Sequence, residues 1–246
     1  MENPVHIVFG AYGGVGSALA RRLADGGARL VLSGRDEDRL QSLARELDAE
    51  ALAADATDLQ AVDDVLKGAR EQHGRVDGVA NCVGSLMLKP AHLTRPQEWH
   101  DTVATNLGSA FAVVRSAAGV MSRQDEGGSV VLVSTAAARV GLPNHEAIAA
   151  AKGGVDALVR SAAATYGRFH VRVNSVAPGL VDTPMTERIT SNDRARESSE
   201  SMHALGRIGT ADEVARAIEW LLDPASGWIT GQTVGVDGGL GTVRSA

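Results

Sequence analysis

The chain has one cysteine, Cys82, in 246 residues, which excludes an intrachain disulfide and fits a reducing cytoplasm. It is short of positive charge: 24 Lys and Arg stand against 30 Asp and Glu, for a net −6, and no basic cluster could track a phosphate backbone. Nucleic acid is therefore not an expected partner. No apolar run approaches the roughly 20 residues of a membrane span, so no membrane partner is expected. Strand-like sequence begins at Val5, which predicts no cleaved leader. There is no linker composition, no internal repeat, and no His/Cys/carboxylate cluster at metal-ligand spacing, so no metal is predicted. Tyrosine is scarce as well: Tyr12 and Tyr166 are the only two.

What the chain does have is alternation. Short apolar, β-branched runs at Val5-Phe9, Arg29-Ser33, Ala51-Ala54, Val76-Ala80, Ser129-Ser134, Val171-Val176 and Thr233-Val236 read as buried strands. Between them, Ser17-Ala24, Arg39-Leu47, Leu59-Arg70, Ala147-Tyr166 and Ala211-Leu222 carry apolar positions at helical spacing. Strict alternation predicts an α/β fold: one doubly wound parallel sheet covered on both faces, a single domain over 1–246. The polar stretch 184–203 interrupts the pattern. It reads either as a lid over a substrate site or as a solvated surface helix.

Gly10-Ala11-Tyr12-Gly13-Gly14-Val15-Gly16 lies directly between the first strand and the first helix. Glycines at 10, 14 and 16 permit a tight turn and close approach of a pyrophosphate, whose charge is favoured by a helix N-terminus. The alternative is that they serve only helix-strand packing. The second strand ends in Gly34-Arg35-Asp36. An arginine at that tip can neutralise a 2′-phosphate, which favours NADP; the adjacent Asp36 could instead accept from a ribose hydroxyl, which keeps NAD open.

These residues resemble the short-chain dehydrogenase/reductase family, particularly the branch containing 3-oxoacyl-carrier-protein reductases. The resemblance runs nearly end to end: Gly10, Gly14 and Gly16 with Val15 and Tyr12 in the cofactor loop, although Phe9 stands for the usual threonine. Asp55-Ala56-Thr57-Asp58 is similar to an adenine-contacting segment, and Asn81-Cys82-Val83-Gly84 keeps the first and last positions of Asn-Asn-Ala-Gly. Asn106 falls at the active-site asparagine, and Pro178-Gly179-Leu180-Val181-Asp182-Thr183 at the segment holding the nicotinamide amide. The stretches 206–209 and 230–239 also fit. The resemblance implies a Rossmann fold, a nicotinamide cofactor, a small-molecule substrate and a homo-oligomer, tetramer or dimer, pairing the helices at Gly108-Met121 and Ala147-Tyr166.

It also exposes a departure. Lys152 matches the lysine of the family's Tyr-x-x-x-Lys, so the tyrosine position is Ile148 and the serine position is Thr135. Threonine keeps a hydroxyl. Isoleucine cannot exchange a proton with a substrate oxygen, and losing a positioned acid typically costs about 10²–10⁴ in rate. Tyr12 is expected to shield the cofactor phosphates, and Tyr166 to pack at a helix end. His145, three residues before Ile148, reads either as a substitute acid or as part of a polar helix start with Asn144 as N-cap. Trp99, Trp220 and Trp228 read as core or subunit-interface residues, Asn174, Arg207 and Asp237 as turn-fixing residues, and Cys82 as a packed residue. The leading expectation is an NADP-dependent oxidoreductase acting on a carbonyl or alcohol through Asn106, Thr135 and Lys152. Its competitors are a dinucleotide-binding pseudoenzyme and a non-redox enzyme on this fold.

Overall fold

The computed structural model describes residues 3–243. β1 (Val5–Phe9) is buried at every position, as expected of a strand covered on both faces. Then follow α1 (Gly14–Asp25), β2 (Arg29–Gly34), α2 (Glu37–Leu47), β3 (Glu50–Ala53), α3 (Leu59–His73), β4 (Gly78–Asn81), α4 (Pro96–Val103), a π-helical turn at Ala104–Gly108, α5 (Ser109–Met121) and β5 (Gly128–Val133). The second half contains α6 (Glu146–Tyr166), β6 (Val171–Pro178), a short β7 (Val181–Asp182), α7 (Glu187–Thr190), α8 (Asp193–Met202), β8 (Gly209–Thr210), α9 (Ala211–Leu222) and β9 (Thr233–Val236).

Seven parallel strands run in the order β3-β2-β1-β4-β5-β6-β9, with β7 and β8 paired beside the sheet. The α/β expectation holds. One core layer packs α3, α5 and α6 on the sheet through Val65, Leu66, Val113, Val155 and Val159. The other packs α1, α2 and α9 through Leu19, Leu40, Val214 and Ile218. The chain reverses direction across the sheet at β1, where Phe9 pairs with Ser33 on one side and Asn81 on the other. A crevice at the carboxyl ends of the strands is required there.

Several local expectations are corrected. The fourth strand begins at Gly78 rather than Val76, because the Gln124 side chain takes both the N–H and the C=O of Val76 and removes them from the ladder. The first helix begins at Gly14, earlier than the apolar periodicity indicated, since the glycines themselves adopt helical backbone. Asn144 is not the N-cap of α6. It has a left-handed backbone, φ 63°, its carbonyl accepts from Lys89 N–H, and His145 occupies the cap position. The tryptophans are not core residues: Trp99, Trp220 and Trp228 are 41%, 47% and 101% exposed.

Candidate active site

The crevice is a cleft of about 180 Å³ at the carboxyl ends of β1, β4, β5 and β6. It gathers Gly14, Val15, Gly16, Gly84, Asn106, Thr135, Lys152, Pro178, Gly179, Val181 and Thr183, with Ile148 among them. Segments up to about 170 positions apart in sequence thus meet around one space, which the parallel topology forces by bringing every βα loop to one edge.

One half of the cleft is built from backbone. Gly10 has φ +71°, and a Cβ there would lie 2.9 Å from the Cys82 carbonyl carbon. A Cβ on Gly16 would meet the Gly10 carbonyl oxygen at 2.2 Å. Among the described residues no side chain caps α1, so its first N–H groups, at Gly14, Val15 and Gly16, lie at the cleft without intrahelical acceptors. An uncapped helix start opening into a glycine-walled cleft fits a pyrophosphate.

The tip of β2 lies farther along. The Tyr12 ring does not line the cleft; it lies against Gly34, and its hydroxyl accepts from Asp36 N–H. The Arg39 guanidinium stacks over that ring at 4.6 Å and donates to the Tyr12 carbonyl. Asp36 accepts from Arg39 N–H as the N-cap of α2, so the neighbour of Arg35 already has a structural role. Asp55 turns its carboxylate back on Thr57 and approaches exposed Arg35 at 3.9 Å; the Thr57 backbone N–H is the main reason its pKa is lowered. Ala56 is buried beside it. Asn81 lies beneath the cleft, holding Ser109 and the Val83 N–H, and so shapes the loop that carries Gly84.

At the chemical end, Asn106 is buried in the π-helical turn, a distortion common at functional sites. Its Nδ2 donates to Ser85 Oγ and the Thr102 carbonyl, and its Oδ1 accepts from Ser85 N–H. Both amide hydrogens are therefore engaged. Thr135 Oγ accepts from Ala137 N–H at 3.3 Å, while among the described residues its own hydrogen has no acceptor. Lys152 is buried, and its Nζ donates to the Val133 carbonyl at 2.7 Å. Burial lowers its pKa to about 8, partly opposed by Cys82 and Asp156. Burial also pushes the Cys82 thiol up to about 12, the lysine opposing it. Ile148, one turn before Lys152, is buried at the same cleft and brings no polar atom. His145 does not line the cleft, and its Nδ1 bonds the Pro143 carbonyl at 2.7 Å.

The residue pattern did not single out Ser85, Leu86, Ser134, Met185 or Thr186, which also line the cleft. Ser85 directly follows the Gly84 motif, which was its one sequence signal. His203 was missed too: buried at the end of α8, it accepts from Leu180 N–H through Nε2 and contacts the Ser199 carbonyl through Nδ1.

A family model described as Enoyl-(Acyl carrier protein) reductase matches residues 10–241. The chain is 32% identical over 247 aligned positions to 3-oxoacyl-(acyl-carrier-protein) reductase of Thermotoga maritima, with 98% of each chain covered. This chain belongs to the short-chain dehydrogenase/reductase family. It is 37% identical to L-rhamnose 1-dehydrogenase (NAD(P)(+)) of Azotobacter vinelandii, covering 95% of each chain. A short-chain type dehydrogenase/reductase from Mycobacterium ulcerans superposes with a TM-score of 0.94 at 30% identity, covering 100% of this chain and 92% of that one. As a short-chain dehydrogenase/reductase, the protein is an NAD(P)-dependent oxidoreductase. No helix among the described residues is long and apolar enough to cross a membrane.

Proposed function

We propose that this protein is an NADP-dependent reductase or dehydrogenase that interconverts a carbonyl and an alcohol on a neutral, largely apolar substrate, without the tyrosine acid. The observation that carries this reading is the convergence of the uncapped start of α1 with Thr135, Asn106 and Lys152 in one cleft. The nicotinamide, when bound, supplies or takes up a hydride. The N–H groups of Gly14, Val15 and Gly16 hold its pyrophosphate, Lys152 its ribose, and the 178–183 segment its amide edge. The Thr135 hydroxyl donates to the substrate oxygen, and Asn106 holds the Ser85 loop in place. Val181, Leu86, Ile148 and Met185 give the cleft an apolar wall, and among the described residues Lys152 is its one cationic side chain, which suits a largely apolar substrate.

NADP is favoured over NAD because Asp36 is occupied as a helix cap while the Arg35 side chain is 76% exposed at the tip of β2. The 184–203 stretch acts as the lid: Met185 and Thr186 already line the cleft, and His203 ties the end of α8 to Leu180. The molecule assembles in the cytoplasm as a homo-oligomer, dimer or tetramer, through α5 and α6; Phe111 on α5 is 51% exposed and suits such a face. A second reading, a dinucleotide-binding pseudoenzyme, is favoured by the apolar Ile148 itself.

Single-turnover oxidation of NADPH against trifluoroacetophenone and ethyl acetoacetate, with the Ile148→Tyr variant alongside, separates the two. Turnover by the native protein supports the reductase. Turnover by the variant alone supports the pseudoenzyme.

A further inference from the structure

The cleft has lost its tyrosine but not every group that titrates. Of the described residues lining it, only Cys82 and Lys152 carry an exchangeable proton on a titratable group; the others are apolar, amide, hydroxyl or glycine. His145 is turned to the Pro143 carbonyl outside the cleft. The Thr135 hydroxyl can polarise an oxygen, but an alcohol does not release its proton at neutral pH.

The geometry of Lys152 suits a proton donor. The ammonium has three N–H groups. Among the described residues one donates to the Val133 carbonyl, and none of the remaining hydrogens has a protein acceptor. Loss of one proton leaves an amine that keeps the Val133 bond, so the anchor is the same in both protonation states. Gly84 leaves the approach open: a Cβ there would lie 3.5 Å from Lys152 Nζ and 3.1 Å from Asn106 Oδ1. Ser134 Oγ donates to the Lys152 carbonyl and pins this turn of α6 against the end of β5. Ile148 lies one turn away on α6 and lines the same cleft without bringing a polar atom to it.

We propose that Lys152 is itself the proton donor to the substrate oxygen in carbonyl reduction, and the proton acceptor in the reverse direction, directly or through one water. This rests on the redox reading above and deepens it. In reduction the carbonyl carbon receives a hydride from the nicotinamide, the carbonyl π pair moves to oxygen, and that oxygen takes a proton from Nζ. A C–H and an O–H bond form, the ketone is reduced, the dinucleotide is oxidised, and the neutral amine regains its proton from solvent. The pKa lowered to about 8 places the lysine where exchange is efficient near neutral pH, whereas Cys82, raised to about 12, holds its proton. The titratable groups facing Nζ are Cys82 from the loop after β4 and Asp156 on α6 itself; β5 contributes only the Val133 carbonyl.

The chain has three lysines, Lys67, Lys89 and Lys152, which makes the test direct. The Cε signals of ¹³C-lysine-labelled protein are titrated with and without NADPH, and assigned by elimination with Lys67→Arg and Lys89→Arg. The pH dependence of single-turnover NADPH oxidation by trifluoroacetophenone is measured on the same samples. The expected result is that the reduction rate falls as pH rises through the Lys152 midpoint of the NADPH complex. Lys152→Arg, which keeps the charge and N–H donors for the ribose but does not give up a proton, is expected to lose at least about a hundredfold in reduction at saturating NADPH, whatever its effect on NADPH affinity. A rate profile indifferent to the lysine midpoint, or an arginine variant with native turnover, overturns the proposal and leaves the reductase reading standing. A native protein that binds NADPH yet reduces neither ketone overturns both.

Discussion

Asn106 and Ser85 hold each other twice: Ser85 N–H donates to Asn106 Oδ1 at 3.1 Å, and Asn106 Nδ2 donates to Ser85 Oγ at 2.9 Å. This pair ties the loop after β4 to the π-helical turn. With its second amide hydrogen on the Thr102 carbonyl, Asn106 positions the cleft wall rather than donating to substrate. Asn106→Ala strands three buried or half-buried polar groups. It is expected to cost about 1–3 kcal/mol for each group left unsatisfied. Urea denaturation checks the stability loss, and NADPH fluorescence titration should show weaker binding at temperatures where the variant is still folded.

Cofactor preference should follow the tip of β2. Removing the exposed guanidinium in Arg35→Ala is expected to weaken NADPH binding by about 10- to 100-fold, the worth of a charge-assisted contact, and to leave NADH binding unchanged. Paired isothermal titrations with the two dinucleotides check this. Equal losses for both would show that Arg35 does not read the 2′-phosphate.

The 187–202 segment should loosen when its tie to Leu180 is cut. Because Leu180 N–H donates to Nε2 of His203, the ring proton is on Nδ1, where it donates to the Ser199 carbonyl. One neutral imidazole thus joins α8 to the segment beside the cleft. His203→Ala is expected to raise amide hydrogen exchange across 187–202 by about tenfold or more while leaving α3 at native protection. Uniform exchange throughout the molecule would instead mean global destabilisation.

A buried imidazole at the opposite edge of the sheet sets the acid stability. His6 is 5% exposed, lies against Gly78, and has an Nδ1 without a partner among the described residues. Burial lowers its pKa from 6.5 to about 4, with Asp77 opposing. The folded chain therefore binds this proton less well than the unfolded chain. Stability from this site is complete above pH 6.5 and is lost as the pH falls from 6.5 towards 4, amounting to about 3 kcal/mol. Urea midpoints between pH 7 and 4 should fall for the native protein and fall less for His6→Val, which cannot be protonated.

Much of this was legible from residue type and spacing. β1, α1 and the glycines between them are a local arrangement: the apolar run, the required φ at Gly10 and the space needed at Gly16 are all dictated within a dozen positions. Hence the sheet and the glycine turn at its first strand could be read from the sequence. The same local logic failed at Asn144, whose carbonyl is claimed by Lys89 far away in sequence, and at Val76, whose strand pairing is taken over by Gln124. It also placed Tyr12 by its loop, whereas the ring went to Gly34 and Arg39.

The sequence by itself therefore determined the α/β architecture, the glycine turn between β1 and α1 and the apolar side chain at position 148, because each follows from backbone conformations and side-chain chemistry that neighbouring residues settle. Only the tertiary structure decided what those residues do for one another. That Lys152 hangs from the Val133 carbonyl, that both amide hydrogens of Asn106 are engaged, that His203 closes on Leu180, and that Trp228 stands in solvent all depend on contacts between distant segments. Such contacts arise when the parallel strands bring their loops to one edge, and no spacing along the chain encodes their distances.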